Sequence, residues 1–135
     1  MAERVRDGAE MVRQMSPRHE PGRFVFRTLP AEIGTEALAE ARAVFREAEG
    51  VSVIRAAGPG DADAFCQITL DVHSALDGVG LTAAVSGALA DAGIPVNVVA
   101  ANHHDHVFVP EEQTQAALDV LHALSRGEGP QDVKE

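Results

Sequence analysis

The chain of 135 residues contains no tryptophan and no tyrosine, and it has a single cysteine. Aliphatic side chains must therefore build the core, because aromatic residues make up only 4% of a composition that is 45% apolar. The lone Cys66 excludes an internal disulfide and a CxxC metal or redox motif, and its place in an apolar pattern predicts a buried, inert thiol. No run of about 18 apolar residues is present, so no membrane-spanning helix is expected.

Positive charge is also scarce. Eleven Lys and Arg stand against twenty-one Asp and Glu, which leaves a net charge of −10. Nucleic acids and anionic membrane surfaces are bound through clustered basic residues, so neither is expected as a partner. The segment from Met1 to Val12 has no apolar stretch of a secretory signal, and a cytoplasmic location is therefore expected. The length suits one ordinary domain or two very small ones.

The first half of the chain reads as helix, strand, helix and strand. A short N-terminal helix ends at the Pro-rich stretch Ser16–Gly22, and FVFRTL (24–29) and VSVIR (51–55) have the composition of strands. Between them a helix capped by Thr35 is predicted, with Gly50 at its end and the apolar stripe Leu38, Ala41, Phe45 and Ala48. The loop Ala56–Asp63 is the best boundary, which predicts domains over residues 1–60 and 61–125 and a disordered tail over 126–135.

The second half has the order β-α-β-β-α. FCQITLDVH (65–73) alternates apolar and polar residues, which predicts a strand with one side on the core and one wetter side. A helix over 81–93 follows, then strands over 94–101 and 106–109 joined by the loop Asn102–Asp105, and a last helix from Pro110. One more strand would complete a ferredoxin-like β-α-β-β-α-β unit. We infer that the first half supplies the sheet that the second half lacks.

Three pieces of the second half, VHSALDGVGLTAA, AGIPVNV and HDHVFVP, resemble the ACT domain, a small-molecule-binding regulatory module of amino-acid metabolism. The first half is similar to bacterial proteins with two ACT-like halves, in the pieces Met15–Pro17, Pro21–Pro30 and Arg46–Val53. The resemblance implies an α+β fold: a ferredoxin-like, ACT-like sandwich with two halves in tandem, antiparallel sheets and helices on one face.

The stretch Leu76–Leu81 is the first candidate site. Its two glycines allow the backbone to approach a ligand, and the helix that follows offers free N–H groups to a carboxylate. Asp77 could accept an ammonium group, so the stretch suits an α-amino acid; an ordinary strand-to-helix turn is the competing interpretation. The resemblance to ACT domains implies the ligand-binding residues Ser74, Leu76, Asp77, Gly78, Val79, Gly80, Leu81, Ile94, Asn97 and Val98.

The cluster His103-His104-Asp105-His106 is the second candidate. Neighbouring strand residues point to opposite faces, so His104 and His106 could converge, with His73 as a third ligand. Two or three ligands fall short of the four of a structural zinc site, and a polar hairpin tip explains the cluster better. No metal and no cofactor are therefore expected. The chain also lacks a nucleophile elbow, a P-loop and a dinucleotide fingerprint, and no catalytic residue is predicted.

Two functional hypotheses follow. The favoured one is a non-enzymatic module that binds an amino acid or similar small zwitterion and acts through a protein partner or through its own oligomerisation. Exposed sheet edges make a homodimer the expected assembly. The alternative is a small metal-dependent enzyme or metal-binding protein that uses the cluster His103–His106. A structural oligomer without a ligand is a third possibility.

Overall fold

The computed structural model of the chain describes residues 7–72 and 78–128. Its elements are α1 (Gly8–Gln14), β1 (Pro17–His19), β2 (Phe24–Leu29), α2 (Thr35–Glu40), β3 (Ala43–Glu47), β4 (Gly50–Ala56), β5 (Phe65–Leu70), α3 (Leu81–Asp91), β6 (Asn97–Ala100), β7 (Asp105–Pro110), a 3-10 turn (Glu111–Gln113) and α4 (Thr114–Ser125). They form two compact units. Unit 1 joins the chain up to Pro21 to the chain from Cys66 onward, and unit 2 is Gly22–Phe65.

The sheet of unit 1 has the strand order β1, β5, β7, β6. The short strand β1 runs antiparallel to β5, with Pro17 opposite Leu70 and His19 opposite Ile68. The inference that the first half supplies a missing strand is confirmed by β1, which comes from the N-terminal side of the chain. The strand itself was not predicted, because its proline-flanked sequence has no strand composition and is extended only by pairing.

The core of unit 1 lies between this sheet and its helices. The helices α1, α3 and α4 contact one another. Their apolar stripes form one buried cluster with the strand side chains Ile68, Leu70, Val107 and Val109. The helices predicted over 81–93 and after Pro110 are α3 and α4, and their side chains Val85, Leu89 and Leu121 are almost completely buried.

The sheet of unit 2 has the order β3, β4, β2, with antiparallel neighbours. Strand β2 pairs with β4 from Phe24 opposite Ala56 to Leu29 opposite Val51. Gly50 begins β4 with φ +144°, and a Cβ there would lie 2.6 Å from the carbonyl oxygen of Leu29. Glycine is required at this position because neither the backbone angle nor the space admits a side chain.

The predicted second helix is wrong beyond Glu40. α2 begins at Thr35 with Gly34 as its cap residue, and the chain turns into strand β3 at Ala43. Phe45, which was expected on the buried helix stripe, is a strand residue that is 72% exposed. The segment Ala43–Phe45 satisfied a helical spacing, but pairing with the β-branched strand β4 decided its conformation.

Two further expectations are corrected. Strand β5 is buried on both faces, with Gln67 and Thr69 only 3% and 1% exposed. The hairpin between β6 and β7 is tighter than expected, because Asp105 begins β7 and pairs with Ala100. Pro110 ends β7, and a 3-10 turn separates it from α4. The two ends of β7 are boundaries that the local sequence leaves open, and they depend on pairing with neighbouring strands.

The compact units divide the chain differently from the sequence halves, because α1 and β1 belong to unit 1. The division of the chain into two domains, 1–60 and 61–125, therefore remains a prediction. Of the predicted tail 126–135, the stretch beyond residue 128 lies outside the described residues. Over the described ranges, no helix has the length and apolarity needed to cross a bilayer.

Candidate functional site

The glycine loop before α3 has the backbone geometry expected of a ligand loop. Gly80 is the N-cap residue of α3 with φ +115° and ψ −25°, a left-handed conformation. Within the described residues, no side-chain hydrogen bond caps the first turn of the eleven-residue helix. Gly80, Thr82 and Ala83 are exposed. The uncapped N–H groups of the first turn are thus accessible, and they are suited to an anion such as a carboxylate.

Helix α1 packs against this loop through a second glycine. A Cβ on Gly8 would lie 2.3 Å from the carbonyl oxygen of Val79 and 3.2 Å from the Cα of Gly80. A Cβ on Gly80 would meet the Cα of Gly8 at 3.3 Å. The side chain of Val79, by contrast, is 79% exposed. The loop is therefore held from one side by the backbone of α1 and presents an apolar side chain to solvent on the other.

The remaining predicted ligand residues have different environments. Leu81 and Ile94 belong to the same buried core cluster, against which Val98 packs. Leu81, Ile94 and Val98 can therefore support the loop and β6 from the core side. Asn97, at the start of β6, is exposed. Ser74, Leu76 and Asp77 lie outside the described residues. In the described part of the predicted site, the exposed residues are therefore Val79, Gly80 and Asn97, while Gly78 is partly buried.

His104 and His106 of the histidine cluster have different neighbours. Nδ1 of His104 lies 3.2 Å from the carbonyl oxygen of Val72, while Nδ1 of His106 lies 3.0 Å from the hydroxyl of Thr69 and 3.2 Å from the amide nitrogen of Gln67. Within residues 7–72 and 78–128, no group of three or more His, Cys, Asp or Glu side chains could hold a metal ion. His73, the third ligand of the alternative hypothesis, lies outside those ranges. The metal hypothesis therefore receives no support from the described geometry.

His106 instead belongs to a polar network on the face of β5 opposite the helices. Gln67 donates from its amide nitrogen to the hydroxyl of Thr69 at 3.0 Å. Thr69 also lies within 3.2 Å of a carboxylate oxygen of Glu20 and donates to it. The carbonyl oxygen of the Gln67 side chain is buried and has no hydrogen-bond partner among the described residues. The network consists of side chains from β5, β7 and the residue after β1, and it specifies how these strands align.

An ion pair extends the network at the end of β5. Arg18 donates from Nε and Nη2 to the two carboxylate oxygens of Asp71 at 2.8 and 3.0 Å, and from Nη1 to Glu20 at 2.8 Å. These hydrogen bonds hold the pKa of Asp71 below its usual value, against a smaller opposing effect of burial. Since Arg18 is half exposed, solvent screens the pair, and its role is mainly to hold β1 against β5.

Asp105 shows the opposite behaviour. It is 9% exposed and lies on the core-facing side of β7, together with Val107 and Val109. Burial raises the pKa of its carboxyl group, and the charges of His106 and His104 oppose that effect only in part. Asp105, which was assigned to a polar hairpin tip, is therefore a buried residue at the start of β7, whereas Asn102 and His103 are exposed.

The polar network was missed in the sequence, although one signal was present. The alternation in β5 places Gln67, Thr69 and Asp71 on one face. That pattern alone predicts a solvated face. Their burial depends on Arg18 and Glu20, which lie about fifty residues earlier, and on His106, which lies nearly forty residues later.

The unit 1 sheet, with its helices on one face and a glycine loop before the helix α3, has the α+β arrangement of a ferredoxin-like domain. Family models described as ACT domain match residues 65–123 and, separately, residues 5–65. The chain belongs to the ACT domain family, with two ACT-type segments in tandem. The predicted α+β fold is thereby confirmed. ACT domains are typically regulatory small-molecule modules and not catalytic ones.

Solved structures agree with this assignment. A Vibrio cholerae protein of unknown function, described as a possible transport protein, is 40% identical, with a TM-score of 0.74 over 84% of this chain and 92% of that one. An Agrobacterium tumefaciens protein is 19% identical, with a TM-score of 0.65 over 92% and 91%. Aspartokinase alpha and beta subunits are 16% identical, with a TM-score of 0.60 over 80% and 95%. The last two show the fold alone. No curated protein matches the chain.

Proposed function

We propose that this protein is a non-enzymatic regulatory module that binds an α-amino acid or a similar small zwitterion. The ligand carboxylate lies at the first turn of α3, and its ammonium group is bound by Asp77. Asn97 and the start of β6 complete the site. The observation that carries the proposal is the left-handed Gly80, an exposed cap residue without a side chain at the start of an eleven-residue helix.

Regulation requires that the ligand bind two states of the protein with different affinity. The close contact between Gly8 and the loop supports α1 as the element that responds, because a shift of the loop backbone alters that contact. The output then passes to a protein partner or to the assembly of the chain with itself. We propose a cytoplasmic location for this function, in keeping with a ligand drawn from amino-acid metabolism.

The first test is thermal unfolding of chelator-treated protein with each of the twenty amino acids at millimolar concentration. A ligand at a hundred times its dissociation constant stabilises the fold by about 2.7 kcal/mol, which is readily measured. One amino acid, or a chemically related group, is expected to raise the melting temperature. Equal melting temperatures with all twenty would contradict the proposed ligand class.

The second test separates the site from the rest of the domain. Calorimetric titration of Asp77→Asn is expected to show at least about tenfold weaker binding, because the ammonium group loses a charged hydrogen-bond partner. Asp91→Asn is the matched control, since Asp91 is exposed at the opposite end of α3. Equal affinities in the two variants would refute the assigned role of Asp77. Gly80 is less suitable, since its positive φ makes any substitution a change in the fold as well.

A further inference from the structure

The chain leaves strand β5 through a buried backbone segment whose carbonyl group needs a donor. The strand ends at Leu70, and the backbone N–H of Asp71 still donates to the carbonyl oxygen of Met15. Val72 follows and is only 3% exposed, so its backbone is largely shielded from water. A buried carbonyl group without a donor costs free energy comparable to a lost hydrogen bond. The carbonyl group of Val72 therefore depends on a donor from another part of the fold.

The imidazole of His104 supplies that donor. Its Nδ1 atom lies 3.2 Å from the carbonyl oxygen of Val72, in a partly buried contact. A carbonyl oxygen can only accept, so the hydrogen must be on Nδ1 of His104. The backbone of His104 is fixed in turn, because its carbonyl oxygen accepts a hydrogen bond from the N–H of Ala101 at 3.1 Å across the β6–β7 hairpin. A side chain of this hairpin thus holds the chain just beyond the end of β5.

The glycine loop before α3 is then held on both sides along the chain. On the side of α3, a Cβ on Gly8 would lie 2.3 Å from the carbonyl oxygen of Val79, so the backbones of α1 and the loop are in close contact. On the side of β5, Val72 is hydrogen-bonded to His104. A loop held on both sides loses less conformational freedom when it binds a ligand, and the smaller loss favours tighter binding.

We infer that His104 is a positioning residue for the ligand loop, because its Nδ1–H group fixes the point at which the chain leaves β5. The inference rests on the proposed function of the loop. This role requires no contact between His104 and the ligand, and it requires a donor nitrogen but no metal ion. It therefore gives one histidine of the cluster His103–His106 a task that is independent of metal binding.

Two substitutions at position 104 separate the donor from the rest of the side chain. In His104→Asn the amide nitrogen can take the place of Nδ1 and donate to Val72, whereas His104→Leu keeps a similar volume without a donor. Both variants are titrated by calorimetry with the amino acid that raises the melting temperature of the unmodified protein most. His104→Leu is expected to bind about tenfold more weakly, because a buried acceptor is left unpaired. His104→Asn is expected to bind within about threefold of the unmodified protein. His103→Leu, at the exposed neighbouring position, is the matched control and should bind normally.

Hydrogen exchange in the absence of amino acids gives a readout that does not depend on the ligand. The amide of Asp71, which is bonded to Met15, is expected to exchange about tenfold faster in His104→Leu and at the unmodified rate in His104→Asn. Unchanged exchange in α4 shows that the domain stays folded in both variants. Nitrogen-15 NMR of the unmodified protein is expected to show the hydrogen of the neutral His104 ring on Nδ1.

The two readouts keep the inference apart from the proposed function. If the unmodified protein binds none of the twenty amino acids, the proposed function fails, and the exchange of Asp71 alone decides whether His104 holds the end of β5. The inference is overturned if His104→Leu keeps normal affinity and normal exchange, or if His104→Asn loses as much as His104→Leu. A neutral His104 ring with its hydrogen on Nε2 would overturn it as well.

Discussion

The two compact units differ in how much of their apolar surface is buried. In unit 1 the three helices and the strands β5 and β7 share one buried cluster, and α3 and α4 each bury three residues. In unit 2 the six-residue helix α2 buries none. Of the four large apolar side chains that are exposed in the described part of the chain, three lie in unit 2, namely Phe26, Val44 and Phe45.

This difference suggests that the two units have different roles. Unit 1 has the well-packed framework that a preorganised ligand loop needs, because the loop backbone is held between the core and α1. Unit 2 has an open edge and exposed rings, which suit an interaction with another chain. Four predictions test the comparison, from the largest expected effect to the smallest.

Truncation of a buried side chain is expected to show the largest difference in stability loss between the two units. Leu89→Ala in α3 removes a side chain with 0% exposure and should reduce the free energy of unfolding by about 2 to 5 kcal/mol. Leu38→Ala in α2 removes a half-buried side chain and should cost clearly less, within the range of ordinary surface and boundary substitutions. Urea titration measures both. Equal losses would show that α2 contributes to stability as strongly as α3 does.

A glycine substitution should affect unit 2 selectively. Gly50→Ala forces a side chain into a conformation with φ +144°, against the carbonyl oxygen of Leu29, and should cost about 1 to 3 kcal/mol. Hydrogen exchange should show lost protection in β2 and β4 while α3 and α4 keep theirs. Gly34→Ala is the control, since a Cβ there meets nothing within 4 Å. Equal loss of protection throughout the chain would mean that the units unfold as one.

The buried carboxyl group of unit 1 should oppose folding at neutral pH. Burial raises the pKa of Asp105, so folding favours its protonated form. Its contribution to stability is therefore most favourable at acid pH and is lost as the pH rises through the raised pKa. Asp105→Asn should raise the melting temperature at pH 7 and remove this pH dependence, whereas Asp91→Asn should do neither. A lower melting temperature for Asp105→Asn at pH 7 would reveal a stabilising role for the carboxylate.

The surface ion pairs should have the smallest effects, and they should be similar in the two units. Arg18 pairs with Asp71 in unit 1, and Arg27 pairs with Asp63 in unit 2 at 3.0 Å. In each pair the guanidinium lowers the carboxyl pKa, so the stability is present at neutral pH and is lost as the pH falls through the lowered pKa.

Because solvent and salt screen these groups, Asp71→Asn and Asp63→Asn should each lower the melting temperature only slightly at pH 7. Thermal unfolding should show the difference from the unmodified protein shrinking on acidification and in high salt. A loss several times larger for Asp71→Asn would indicate that the pair anchors β1, and with it the whole network on β5.

Local pattern predicted most elements of the fold. Strand β2 was predicted residue for residue, and α3 and α4 were recognised by their apolar stripes. The failures lie where a neighbour in space overrides local preference. Residues 43–47 satisfied a helical spacing, yet they form a strand because β4 pairs with them. The polarity of Gln67 and Thr69 suggested solvent, yet partners distant in sequence bury them.

The candidate site could be predicted only in part. The glycines and the helix start of the loop are visible as a sequence motif, and Gly80 has the left-handed conformation that such a motif requires. The approach of Gly8 was not visible, because a close contact between two backbones leaves no trace in side-chain pattern. The ligand itself depends on the walls of the site, which sequence spacing does not specify.

By itself the sequence determined the aliphatic core through its composition and the glycine loop that opens α3 through a short local motif. It indicated the family through the resemblance of several such pieces to the ACT domain. Only the tertiary structure decided that β1 completes the sheet of unit 1, that β3 is a strand with an exposed Phe45, and that the second face of β5 holds a buried polar network. The physical reason is the same in each case. Strand pairing joins residues far apart in the chain, and the free energy of those contacts exceeds the small local preferences that a sequence pattern records.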